Sequence, residues 1–291
     1  MKMSFVSSDI VKLFGEEKGY SIIKESGFDY IDFGQPCSLY SYKSGLYSES
    51  FDGFISYFKT QKKYIEGAGL KAGQIHSPFP TYPESGDKEE FDDMLRALKW
   101  SVYAASEVES PFAVIHCAMR NGWRPDTDPE LTKKLNFEVF SMLIPEAEKC
   151  GVTLALENMP SQGKPTDIPT SAPEQLIEYI DMMNSPNFKA CFDTGHANVS
   201  GFGCGDYVKA LGKRLVTLHI HDNDGTRDGH TCPTFGTVDW KDFFSSLSQI
   251  GYNGTLSLES DNFSDRENKL TYPVCVKFQH DILDILARKY M

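Results

Sequence analysis

The sequence predicts a single (β/α)8 barrel, the TIM-barrel architecture of the α/β class, and three observations carry that prediction. Short apolar runs alternate with longer amphipathic segments along the whole chain, eight times. Strict alternation of strand and helix means parallel strands joined by crossovers. No composition break, linker, low-complexity segment or repeat beyond that unit divides the 291 residues, a length at which α/β barrels commonly form one domain. Residues 1–291 are therefore read as one domain.

Taken in order, strands are expected at 3–7, 30–33, 72–76, 113–116, 153–157, 190–193, 215–219 and 255–259. Helices are expected near 16–26, 49–67, 87–108, 130–150, 172–184, 205–213, 239–250 and 274–289. Asp128-Pro129-Glu130 and Ser171-Ala-Pro173-Glu174 each place a capping residue, a first-turn Pro and an early acid before an amphipathic run. Gly151 follows Lys149-Cys150 as a helix stop, and Gly27, Gly69 and Gly251 stand in similar places just before strands.

The strands carry a second regularity. Thr153, Ala155 and Glu157 share one face of their strand, and Leu154 and Leu156 share the other. Thr255, Ser257 and Glu259 alternate with Leu256 and Leu258, and Cys191 and Asp193 flank Phe192. Period-two geometry sends the Leu and Phe residues toward the helices, and small residues ending in a carboxylate into the barrel. Each such carboxylate or His is the last residue of its strand, at the C-terminal end where barrel active sites sit.

Bulk properties narrow the partners. Hydrophobic residues are 40% and charged residues 24% of the chain, ordinary for a protein with a sizeable core. Lys plus Arg is 29 against 41 Asp plus Glu, a net charge of −12, which repels nucleic acid and anionic membranes unless a basic patch intervenes. The 7 Cys are scattered without a C-x-x-C pair, and the N-terminal residues are too polar for a signal peptide. Both fit reduced thiols in a cytoplasm. No stretch approaches a membrane span of about 20 apolar residues.

Lined up by strand, the ends carry His76, His116, Glu157, Asp193, His219 and Glu259. His196 lies three residues beyond Asp193, and Asp228 and His230 lie in the loop after the seventh strand. Of 7 His, only His280 falls outside this end. Several carboxylates and imidazoles meeting at one mouth repel one another unless cations or protons neutralise them, and a divalent metal resolves this economically. Glu157, Asp193, His219 and Glu259 form the expected ligand set. His76 and His116 read either as site residues or as core-edge histidines, and Asp228 and His230 either as ligands or as a solvated turn. His221 and Asp222 read as turn-stabilising or as supporting the ligands. Cys117 and Cys191 read as small core residues, and Trp240 as packing at a helix start. Cations are scarce near this end; Arg120, Lys164 and Arg227 are the nearest.

The chain resembles the xylose-isomerase-like barrels, which include sugar and sugar-phosphate isomerases and epimerases, inosose dehydratase and endonuclease IV. The motifs are Ala155-Leu-Glu-Asn158, Phe192-Asp-Thr-Gly-His196, Leu218-His-Ile-His-Asp-Asn223, Gly236-Thr-Val-Asp-Trp240, and Gly251-Tyr-Asn-Gly254 leading into Leu258-Glu259. Resemblance to the ketose 3-epimerases implies one divalent metal on Glu157, Asp193, His219 and Glu259, commonly manganese, with zinc, cobalt or magnesium as alternatives. It implies substrate contact by His196. Glu157 and Glu259 would remove and return a proton next to a carbonyl, through an enediolate. Resemblance to endonuclease IV implies a three-zinc cluster that also uses His76, His116, His196, Asp228 and His230, and hence a phosphodiesterase. A dehydratase of the inosose type shares the first step of the epimerase reaction. The loop after His230, Thr-Cys-Pro-Thr-Phe-Gly, departs from the isomerases' Leu-Pro-x-Gly-x-Gly, and the basic loops of a DNA-binding enzyme are lacking. The expectation is a cytoplasmic, metal-dependent sugar isomerase or epimerase acting on a small sugar or polyol. His76, His116, His196 and Arg227 would face the substrate. Relatives often form homo-oligomers.

Overall fold

The computed structural model describes residues 2–38, 45–80, 87–119, 126, 128–162, 167–264 and 268–291. Its strands are β1 (Met3–Val6), β2 (Tyr30–Phe33), β3 (Lys71–His76), β4 (Phe112–Ile115), β5 (Thr153–Glu157), β6 (Phe188–Asp193), β7 (Leu215–His219) and β8 (Leu256–Leu258). They form one parallel 8-stranded sheet in which β1 pairs with both β2 and β8 and each later strand pairs with the next as far as β7. The remaining seam is bridged in parallel at Ile220 and Leu258. There Ile220 N–H donates to Ser257 O at 2.7 Å and Glu259 N–H donates to Ile220 O at 3.0 Å. The (β/α)8 barrel is thus all but closed.

The expected helices are present as α2 (Glu16–Glu25), α4 (Phe51–Gly67), α5 (Lys88–Glu107), α6 (Pro129–Cys150), α7 (Pro173–Met183), α9 (Cys204–Leu211), α10 (Trp240–Gln249) and α11 (Tyr272–Tyr290). Asp128 caps α6 by accepting from Leu131 N–H at 3.1 Å, and Gly151 ends it in the left-handed conformation at φ 68°. The α7 cap differs from the expected one. Ala172 holds the cap position, with its N–H donating to Gln175 Oε1 at 2.9 Å, while Ser171 turns to Ser200 Oγ at 3.0 Å. The short helices α1 (Ser8–Phe14), α3 (Gln35–Ser38) and α8 (Thr194–Val199) have too few turns to register as a hydrophobic period.

The two faces of the strands separate as the alternation requires. Leu154, Leu156, Phe192, Leu218, Leu256 and Leu258 are buried in the large core cluster shared with the helices. Each such burial is worth roughly 1.5–3 kcal/mol. Val114, Ala155 and Cys191 form a separate small cluster inside the barrel. Ser4, Asp32, Gln74, Thr217 and Ser257 are also fully enclosed, so part of the interior is polar. The register sets Asp193 beside His219, and Glu157 beside Cys191, one rung below that pair. Among the described residues no helix is long and apolar enough to cross a membrane.

Candidate metal centre

The strand ends deliver their polar side chains to one point. Glu157, Asp193, His219 and Glu259 each offer a ligand atom, and these atoms lie within 4.8 Å of one another. His219 Nδ1 is 2.9 Å from Glu157 Oε1 and 3.3 Å from Glu259 Oε2. His116 Nε2 is 2.9 Å from Glu157 Oε2, and His76 Nε2 is 3.8 Å from the same oxygen and 3.9 Å from Glu259 Oε1. Asp193 also begins α8: its Oδ1 accepts from His196 N–H at 2.6 Å. That cap carries His196 into the site, where Nδ1 meets Asn158 O at 2.8 Å and Nε2 meets Asp228 Oδ2 at 3.2 Å.

A second group gathers beside the first. His196, His221, Asp228 and His230 also present ligand atoms within 4.8 Å of one another. His221 stacks on His230 at 3.9 Å, with 8° between the rings. The loop that brings Asp228 and His230 here is tied down by Asp222. The Asp222 carboxylate accepts from Thr234 N–H (3.0 Å), Val238 N–H (3.1 Å) and Trp240 Nε1–H (2.9 Å). In the same loop His230 and Thr234 stand at φ 43° and 77°, a region that costs a side-chain-bearing residue energy. Gly195 passes so close to His221 that a Cβ there would stand 1.9 Å from the ring.

His76, His116, Glu157, Asp193, His196, His219, Asp228, His230 and Glu259 are therefore brought together. His76, Glu157, His196, Asp228, His230 and Glu259 line a cavity of about 500 Å³ at the mouth. Arg227 is not among its lining residues and its side chain is exposed. Arg120 and Lys164 lie outside the described residues. Two residues escaped the sequence reading. His221 joins the second group rather than merely supporting a turn. Asp32, fully enclosed, lies 3.1 Å from His219 Nε2. Its signal was available: Tyr30 and Asp32 alternate with Ile31 and Phe33, which places Asp32 on the barrel-facing set.

The residues fit a cation. Asp193 Oδ2, Asp228 Oδ1 and His116 Nδ1 are buried without a hydrogen-bond partner among the described residues. A buried carboxylate oxygen so placed is costly unless a positive charge meets it. Mixed carboxylate and imidazole donors suit divalent first-row metals. Proton affinities are also driven apart. Burial pushes the Glu157 carboxyl up, but His219 and the hydrogen bonds from His116 and His196 outweigh it and hold it well below the usual range. Burial raises Glu259 to about 8, against the pull of His219 and His230. Burial, with His116 and His219 close by, holds His76 well below an ordinary imidazole.

A parallel barrel that gathers buried carboxylates and imidazoles at its C-terminal mouth places them on the face where barrel active sites sit. The model of the xylose isomerase-like TIM barrel family matches residues 20–272, and the chain belongs to that family. An inosose isomerase of Bacillus velezensis is 24% identical over 299 residues, covering 100% of this chain and 98% of its own. An L-ribulose 3-epimerase of a Methylomonas species is 29% identical over 199 residues, 68% of this chain and 66%, just under two thirds, of its own length. A solved structure described as IOLI protein with a binding zinc atom superposes with a TM-score of 0.75 at 21% identity, covering 100% of this chain and 99% of that one. At that identity the likeness bears on the fold.

Proposed function

We propose that this chain is a divalent-metal-dependent isomerase or epimerase of an unphosphorylated sugar or polyol. The observation that carries the reading is the meeting of Glu157, Asp193, His219 and Glu259 within 4.8 Å. The names of its relatives, an inosose isomerase and an L-ribulose 3-epimerase, support the reaction class. Manganese is the first choice of ion, with zinc, cobalt and magnesium next. When bound, such a cation polarises a carbonyl and lowers the barrier to removing the neighbouring proton.

The side chains divide the remaining work. Glu157, held low by its imidazoles, is the group kept in the proton-accepting form. Glu259, 3.3 Å from the His219 Nδ1 that Glu157 approaches at 2.9 Å, is the group that would return the proton. His196 Nδ1 is anchored on Asn158 O, and Nε2, paired with Asp228 Oδ2 at 3.2 Å, is the atom that would turn to a sugar oxygen. Phe79 stacks on His116 at 4.0 Å and, with Met159, gives the cavity an apolar wall for the carbon face of a sugar. No Lys or Arg is among the described lining residues, which supports an uncharged substrate.

A second reading is supported by the His196, His221, Asp228 and His230 group. It gives room for a further cation, as in a zinc phosphodiesterase. The net charge of −12 weighs against a nucleic-acid substrate. Elemental analysis of the purified protein, together with proton exchange of ketoses and inososes in deuterium oxide, separates the two. One metal per chain with exchange next to the carbonyl is the expected result. Two or three zincs with phosphodiester cleavage would favour the second reading, and no metal after reconstitution would sink both.

A further inference from the structure

We propose that Asp32 is a positioning residue for this centre: it holds His219 through Nε2, so that Nδ1 faces the cation site. The inference rests on the metal reading above and assigns a task to a residue outside the ligand set.

Asp32 is a carboxylate sealed inside the barrel, and a sealed carboxylate needs a reason. Among the described residues its only ion-pair partner is His219, with Oδ2 at 3.1 Å from Nε2. The contact is an ion-pair approach and not an aligned hydrogen bond, and Asp32 is the acid that faces this edge of the ring. The opposite ring nitrogen, Nδ1, points at Glu157 Oε1 (2.9 Å) and Glu259 Oε2 (3.3 Å). One edge of the imidazole therefore faces a single buried acid, and the other faces the ligand set.

The neighbours fix which atom carries the proton. Gln74 Oε1 accepts from the Thr217 hydroxyl, so the amide of Gln74 must present its NH2 the other way. That Nε2 donates to Asp32 Oδ2 at 2.6 Å and to Leu218 O at 3.3 Å. Ser257 Oγ donates to the same carboxylate oxygen at 3.3 Å. Asp32 Oδ2 thus meets donors and acts as an acceptor, which assigns the His219 proton to Nε2 and the Nδ1 lone pair to a cation. Strands β2, β3, β7 and β8 each lend one side chain to this network, so the ring is braced from across the barrel. A carboxylate behind an imidazole fixes its orientation and raises its basicity as a ligand.

The experiment reads metal, with no turnover assay. Zinc affinity is measured by chelator competition for the wild-type protein and for Asp32→Asn. That change keeps shape and removes charge. The expected result is a loss of about 10–100-fold in affinity with an unchanged circular-dichroism spectrum. In parallel, nitrogen-15 NMR of the zinc-loaded wild type should show His219 protonated at Nε2, with its Nδ1 resonance moved by the metal. An affinity within about threefold of wild type in a folded variant would overturn the proposal, since a mere interior plug would behave that way. So would ligation through Nε2, a result that stands even if the variant does not fold. Wild type that binds no zinc would bring down the metal reading as well. Wild type that binds while Asp32→Asn binds equally well would bring down this inference alone.

Discussion

The barrel has a cavity at each end, and the larger is the less reactive. The one at the N-terminal ends of the strands is about 630 Å³, lined by residues such as Lys2, Tyr30, Phe112, Lys213 and Tyr252, with no imidazole or carboxylate among them. The one at the C-terminal ends is about 500 Å³ and is lined by His76, Glu157, His196, Asp228, His230 and Glu259. Volume therefore does not mark the site, and strand direction does. In a parallel barrel every strand ends on the same face, so one terminal polar residue per strand is enough to build a cluster. The connections differ for the same reason. Only Gly151 and Val152 separate α6 from β5 at the quiet end, whereas residues 220–239 separate β7 from α10 at the other and carry two histidines and Asp228.

The sharpest way to break this contrast is one substitution at each end. Glu157→Gln keeps the shape of a group that lies 2.9 Å from both His116 Nε2 and His219 Nδ1 but removes its charge. Turnover of the ketose substrate should fall by about 10²–10⁴-fold. Lys213→Ala, on the exposed rim of the other cavity, should leave kcat and KM where they were. Steady-state kinetics of the two variants decides it. A Glu157→Gln enzyme with near-normal kcat would remove Glu157 from the chemistry, and an impaired Lys213→Ala would show that the quiet end is not quiet.

A smaller effect tests how tightly the reactive end is packed. A Cβ on Gly195 would stand 1.9 Å from His221 Cε1, and that ring is buried against His230. Gly195→Ala should cost about 1–3 kcal/mol in thermal or denaturant unfolding, the usual range for overpacking. It should also weaken binding of any second cation. Gly67, at the end of α4, has open space within 4 Å of where a Cβ would stand. Gly67→Ala should be neutral or mildly stabilising, by up to about 1 kcal/mol. Equal melting temperatures for the two variants would mean that the mouth yields as easily as a helix end.

Most of the frame was legible because barrel strands obey two short-range rules, alternation of faces and a polar last residue. Those rules located β5, β6 and β8 with their Glu157, Asp193 and Glu259 from local sequence alone. What was not legible depended on packing across the barrel. Asp32 met the alternation rule, but nothing local said that it would reach His219, and its partner Gln74 is brought in from a third strand. His221 was hidden by its neighbours: Asp222 and Asn223 do serve the turn, and only the folded loop sets His221 against His230. Arg227, a cation near the mouth in sequence, is exposed and stands outside the cavity lining, a placement set by the folded loop and not by spacing. Helix α8 spans only six residues, too short for a hydrophobic period, and its cap is Asp193, a strand-end carboxylate that the alternation rule also marks as a candidate ligand.

A pH-dependent effect on stability is informative through its sign. Burial raises Glu259 to about 8 in the folded chain, whereas an unfolded Glu titrates near 4.3. Between those values the folded state binds more protons than the unfolded one, so stability of the metal-free protein falls as pH rises through that window. Glu259→Gln has no such group and avoids that loss. Metal-free wild type and Glu259→Gln should therefore melt alike near pH 4.5, and the variant should become the more stable as pH rises toward 8. Adding a cation should reverse the order at pH 8. Wild type then gains about 2.7 kcal/mol at 100 times the Kd, while the variant, short of one ligand, gains less. Melting curves at two pH values, with and without manganese, test both halves. A variant less stable than wild type in the absence of metal would mean that Glu259 is already satisfied by its histidines, and that the mouth is a settled ion-pair network rather than a site waiting for a charge.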